Sequence, residues 1–212
     1  MQSPYPTIEG TAMDRLIALA SLLCMVAITP GPNNLVVLRE AGRSGVRGAL
    51  PAIAGIVLGG LLLLAVMALG AGAAFAAHAS LRLWVGVLGS LYLAWLGMTL
   101  LMGGIVPRHT ADVAREPALP TGVPGLISFQ FLNPKSWVMV LTVLAALPVT
   151  GLSDYLPLAG LFVLIPASCL LLWASLGALL ARWLGRPMVR RVVDVVMGVL
   201  LSACAGSLLT GL

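Results

Sequence analysis

Two short clusters interrupt otherwise apolar sequence, and both are built from residues that loosen a helix and offer polar atoms. TPGPNN supplies Pro30, Gly31, Pro32, Asn33 and Asn34; FQFLNPK supplies Gln130, Asn133, Pro134 and Lys135. Pro30 and Pro32 lack an amide hydrogen, so the carbonyls of Val26 and Ile28 lose their usual helical partners. Proline also pushes the residue before it out of the helical region, which unsettles Thr29 and Gly31, and Gly31 tolerates backbone angles closed to other residues. Asn33 and Asn34 each bring two donors and an acceptor. The amides that start the helix after the break carry partial positive charge suited to a carboxylate. Gln130 and Asn133, three residues apart, share a helix face, and Lys135 adds a full cation. The chemistry on offer is recognition of a small carboxylate-bearing solute. The plainer reading is a kinked helix whose asparagines satisfy their own neighbours.

These clusters sit in a chain of 212 residues that is 60% hydrophobic and 9% charged, with a mean hydropathy of +1.06. Soluble domains carry about a quarter charged residues, so the composition indicates a membrane protein. Charge-free runs cover Leu16 to Leu38, Gly48 to Ala77, Leu83 to Pro107, Tyr155 to Ala181 and Val195 to Leu212, and a further run from Pro117 to Asp154 is interrupted only by Lys135. Each meets the roughly 18 to 20 apolar residues of a spanning helix, and none alternates as a barrel strand does. The expected fold is therefore an all-α integral membrane protein with six transmembrane helices, at about 14–38, 46–76, 81–104, 121–149, 155–181 and 189–211. Glu9 and Asp14 precede the first run where a signal peptide would be basic, so that helix is expected to be retained. Residues 1 to 12 read as an extension, and Met1 and Met13 are both open as the start.

Nine of the twelve basic residues fall in three connecting segments: Arg39, Arg43 and Arg47; Arg108 and Arg115; Arg182, Arg186, Arg190 and Arg191. That asymmetry places both termini on the non-cytoplasmic side, and it accounts for the net charge of +5 without a nucleic-acid partner. Three helices precede the polar linker Arg108 to Thr121 and three follow it, so two halves, 14–106 and 121–212, enter the membrane in opposite senses. Interrupted helices at corresponding places of inverted halves, here the first and fourth, point to a transporter site near the midplane. Gly55 and Gly59 in the second helix, and Gly198, Ser202 and Gly206 in the sixth, read as close-packing faces.

Lys135 is the only full charge deep in any run. A central lysine costs about 2.5 to 3.5 kcal/mol on the insertion scale and should face the bundle interior with a partner. No acid lies at similar depth, which leaves a substrate carboxylate as the partner, or the carbonyls freed in the first helix; the two roles can coexist. Asp194, four residues after Arg190, reads first as one member of an ion pair and is also the leading candidate for proton coupling. Cys24, Cys169 and Cys204 lie in different runs and read as packing residues. A redox relay would need two cysteines able to meet, most plausibly one from each half. A metal exporter would want His or carboxylate clusters, yet His78 and His109 fall in segments on opposite sides. No nucleophile, base and orienter constellation suggests an enzyme, and no cofactor or metal is expected. One cation, amide side chains and no deep carboxylate suit a net-neutral solute, so the expected cargo is a small amino acid or derivative. The other expected partner is the lipid bilayer, and a homodimer stays open.

The stretch from Thr29 to Gly59, TPGPNNLVVL followed by REAGRSGVRGALPAIAGIVLG, and FQFLNPKSWVM from Phe129 to Met139, resemble the LysE/RhtB family of bacterial amino-acid exporters. The resemblance implies export of amino acids and related metabolites across the inner membrane, driven by the proton gradient. It carries a site role onto Pro30, Gly31, Pro32, Asn33, Asn34, Asn133, Pro134 and Lys135. The FQ ahead of LNPK is similar to the branch that exports cysteine and O-acetylserine. The chain departs from many relatives after the NPK, where it reads SWVMVLTVLAALP, and in the fifth helix, where PASCLLLWAS lacks the acid some carry.

Overall fold

The computed structural model describes residues 12–105, 122–146, 155–184 and 186–210. The expected extension, apart from Ala12, lies outside the described residues, as do the linker Arg108 to Thr121 with His109 and the expected helix end at 147–149. The described elements are helical: α1 (Ala12–Ile28), α2 (Pro32–Val66), a π-helical turn (Met67–Ala71), α3 (Gly72–Ala77), α4 (Ala79–Ile105), α5 (Gly122–Leu132), α6 (Pro134–Ala146), α7 (Tyr155–Leu184) and α8 (Pro187–Thr210).

Among the described residues, four stretches are long and apolar enough to cross a membrane: Pro32–Phe75, Ala79–Ile105, Leu156–Ala181 and Arg191–Thr210. Leu16–Ile28, Gly122–Leu132 and Pro134–Leu144 are shorter apolar helices. Outward-facing Leu62, Leu88, Trp95, Met98, Met102, Leu164, Leu172 and Leu179 are exposed. Lipid solvates such a surface; water would drive it to associate. The sequence expectation closed the first helix at Leu38 and treated the basic stretch as a connection. Instead, helix continues through Arg39, Arg43 and Arg47, and only Gly45, at φ 73° and ψ 175°, leaves helical geometry. A glycine is needed there because a side chain would strain a positive φ. The 35 residues of α2, about 52 Å at 1.5 Å each, are thereby divided into two limbs.

The breaks fall where proline dictates. Thr29, Pro30 and Gly31 separate α1 from α2, with Gly31 extended and Pro32 opening the new helix, a position where its missing N–H is harmless. Asn133 separates α5 from α6, and Pro134 opens α6. Around these breaks α2 packs on α7 and α5, α4 on α8, and α1 on α7. One core cluster joins Leu19, Leu23 and Ala27 of α1 to Val140 and Val143 of α6; another joins Leu35 and Leu38 to Leu93 and Leu96 of α4 and Leu201 of α8.

Small residues set the approach of these helices, as the sequence suggested. A β-carbon on Gly59 would lie 2.7 Å from the Ile127 Cα, and one on Gly97 would lie 2.9 Å from the Gly198 carbonyl oxygen. Gly206 is the exception, with nothing within 4 Å. Among the described glycines, the tightest approach between two helices is at Gly177 of α7, where a β-carbon would meet the Leu38 carbonyl oxygen at 2.2 Å. Backbone cannot yield as a side chain does, so Gly177→Ala is expected to destabilise by about 1–3 kcal/mol. Gly206→Ala should leave the melting temperature in detergent unchanged, which makes the pair a direct check on this packing.

Candidate functional site

The first break strips α1 of the amides that would cap its last turn, and side chains from three places replace them. Asn34 Nδ2 donates to the carbonyls of Ala27 (3.1 Å) and Thr29 (2.9 Å). Trp173 Nε1 of α7 donates to the Ile28 carbonyl at 3.3 Å. Lys135 Nζ, arriving from α6, donates to the Thr29 carbonyl. Buried carbonyls in a bilayer need such partners, and the Thr29 oxygen, with two lone pairs, receives both Asn34 and Lys135.

The second break is satisfied in the same way. Asn133 is buried and its Oδ1 accepts the Lys135 backbone N–H at 3.2 Å, an N-cap on α6. Gln130 donates to its own helix at the Leu126 carbonyl (3.0 Å) and accepts from Ser136 Oγ (2.7 Å). The two breaks are then stapled together. Asn33 Nδ2 donates to Gln130 Oε1 at 2.9 Å, and Gln130 Nε2 donates back to Asn33 Oδ1 at 3.1 Å. This reciprocal amide pair joins residues 97 positions apart in sequence. Among the described residues, the buried Asn133 Nδ2 and Ser90 Oγ have no partner.

A cavity of about 220 Å³ opens beside this network. It is lined by Thr29, Pro30, Gly31, Pro32 and Lys135 from the two breaks, and by Val26, Leu93, Val138 and the α8 residues Leu201, Cys204, Ser207 and Leu208. Lys135 lies flat against the break: a β-carbon on Gly31 would sit 3.1 Å from its Cδ and 3.2 Å from its Nζ. Of the residues singled out from sequence, Pro30, Gly31, Pro32 and Lys135 line the cavity, whereas Asn33, Asn34, Gln130 and Asn133 occupy the supporting network. Pro134 lies on the other side, lining a smaller space of about 120 Å³ with Tyr92 and Trp137. The α8 wall was not anticipated. Its residues recur at helical spacing, but in an apolar run that signal is the same as ordinary packing.

Asp194 is buried and pairs with Arg39 of α2; the side chain of Arg190, its neighbour in the sequence reading, lies outside the described residues. The pair ties α2 to α8 away from the cavity. Cys24, Cys169 and Cys204 are free thiols. Cys24 of α1 and Cys169 of α7, which the sequence placed in different runs, lie near enough to interact. Among the described residues there is no group of three or more His, Cys, Asp or Glu placed to hold a metal.

A LysE type translocator family model matches residues 24–211. The chain is 33% identical over 192 residues to the cysteine/O-acetylserine efflux protein of Salmonella choleraesuis (strain SC-B67), covering 85% of this chain and 90% of the relative. It is 30% identical over 190 residues to the protein of the same name from Escherichia coli O139:H28 (strain E24377A / ETEC), with the same coverage of each. A leucine efflux protein of Enterobacter sp. (strain 638) is 29% identical over 111 residues, 52% of this chain and 53% of the relative. No solved structure gives a significant match. Helices of membrane-spanning length, paired helix breaks and a family match over most of the sequence converge: this multi-pass membrane chain belongs to the LysE type translocator family.

Proposed function

We propose that the chain exports a small, net-neutral amino acid or derivative from the cytoplasm across the bacterial inner membrane, by proton antiport. The observation that carries this reading is the position of Lys135, a cation on the wall of an amino-acid-sized cavity at the junction of two helix breaks. A zwitterion needs two opposite poles. Lys135 and the positive N-terminal end of α2 attract a carboxylate, while the carbonyl end of α1 offers negative partial charge to an amino group. Among the described residues no Asp or Glu lines the cavity, so a second positive charge on the cargo would go unpaired. The efflux relatives named for cysteine, O-acetylserine and leucine support this class of cargo.

In this reading the chain crosses six times as two inverted halves, 14–106 and 121–212, with both termini outside the cytoplasm. The pairing of α2 with α7 and of α4 with α8 supports it, because each joins a helix to its expected counterpart in the other half. Asp194 is the proton-coupling residue, its carboxylate released from Arg39 on protonation.

Loading cells with dipeptides, with and without the gene expressed, and measuring extracellular amino acids tests the proposal. A rise in one or a few neutral amino acids is expected; unchanged levels for every amino acid would refute export. The staple between the breaks has its own expectation. Asn33→Ala removes both of its bonds to Gln130, and a buried amide that loses a partner costs about 1–3 kcal/mol. Efflux should be lost in this variant with a lowered melting temperature but normal membrane insertion, read by fluorescence-detected size exclusion alongside the transport assay.

A further inference from the structure

We infer that α8 builds the subsite for the cargo's side chain, and that Leu201, Cys204 and Leu208 select an apolar side chain of limited size. The inference rests on the exporter reading and assigns a specificity role to residues outside both helix breaks.

The three residues stand at i, i+3 and i+7 of one helix face, and all line the cavity. A different face of α8 is spent on packing: Gly198 and Ser202 lie against Gly97 of α4, where a β-carbon would be 2.9 Å and 2.5 Å from their atoms. The Leu201 face is therefore held in register by the α4 contact and has no freedom to swing away. Leu93 of α4 and Val138 of α6 extend the same apolar wall. Outside α8 the polar lining is Thr29, the backbone of the break and Lys135; on α8 itself Ser207 also lines the cavity, its hydroxyl spent on the Cys204 carbonyl at 2.9 Å. A zwitterion anchored at the break by its carboxylate and amino group must point its side chain at α8.

Size follows from the space. About 220 Å³ is below the roughly 300–1,000 Å³ of pockets for larger ligands. Charged side chains are refused because the α8 wall offers no ionised partner. Short aliphatic, thiol or ester side chains fit. In such a pocket one methylene changes discrimination by roughly 10- to 200-fold, so a single residue on α8 is enough to change the spectrum.

Efflux of alanine, leucine and phenylalanine from dipeptide-loaded cells measures the effect. Cys204→Trp fills the subsite and should lower leucine efflux at least roughly tenfold relative to alanine. Leu201→Ala enlarges it and should raise phenylalanine efflux relative to leucine. A second measurement does not depend on these variants folding. In protein carrying Cys24→Ala and Cys169→Ala, Cys204 is the remaining thiol, and saturating leucine should slow its alkylation by a small maleimide. Unaltered selectivity in both variants, or alkylation indifferent to leucine in protein that still exports leucine, would overturn the α8 assignment and leave the exporter reading standing. Failure of the unmodified protein to export any amino acid at all would instead remove the reading on which it rests.

Discussion

Lys135→Met is expected to abolish amino-acid efflux while leaving the protein at least as stable as before. A lysine at membrane depth costs about 2.5–3.5 kcal/mol, and an apolar side chain of similar length removes that cost. The hydrogen bond that the lysine ammonium makes among the described residues, to the Thr29 carbonyl, is duplicated by Asn34 at 2.9 Å, so the carbonyl keeps a partner when the lysine is gone. In the proposed reading this expensive and structurally redundant charge binds the carboxylate of the cargo. Losing a charge-assisted hydrogen bond to a carboxylate costs about 1.5–3 kcal/mol, a roughly ten- to hundredfold loss in apparent affinity. Melting temperature and efflux should therefore move in opposite directions. A fall in both would mean that the lysine serves mainly to hold the breaks together.

Breaking the Arg39–Asp194 pair should produce the largest loss of stability. Their side chains are 15% and 4% exposed, so Arg39→Met leaves a carboxylate buried without its partner, at about 3–5 kcal/mol. Replacing both, with Arg39→Met and Asp194→Leu, should recover most of that loss, because well-packed apolar side chains often substitute for a buried pair. The double variant separates structure from coupling. If Asp194 carries the proton, the refolded double variant no longer responds to a protonophore with ATP held constant, even where it still exchanges cargo down its gradient. Wild-type protonophore sensitivity in that variant would exclude Asp194 from coupling and leave it a structural tie.

The two breaks and the apolar runs were legible because proline, glycine and the absence of charge act locally. Pro32 and Pro134 open new helices where their chemistry requires, and Gly55, Gly59 and Gly198 sit at close approaches as their spacing suggested. Tertiary pairing was not legible. Nothing in NN distinguishes Asn33, which reaches Gln130 across the break, from Asn34, which turns back on α1. The basic stretch after Leu38 looked like a connection because charges and glycines cluster there, yet with Ala41 and Ala49 packed into the core it stays helical except at Gly45. Asp194 lay four residues after Arg190, but its described partner, Arg39, is 155 positions away. The α8 wall was invisible for the converse reason: leucines that line a cavity and leucines that fill a core look alike in sequence.

Counterflow in proteoliposomes tests the central claim most directly. With protein reconstituted in vesicles loaded with unlabelled leucine, cysteine or O-acetylserine, uptake of the same labelled solute reports binding and translocation without cellular metabolism. The account predicts counterflow of at least one of these by the wild type and none above background by Lys135→Met at equal reconstituted amounts. Equal counterflow by the two proteins would contradict it, and would place the cargo somewhere other than the cavity between the helix breaks.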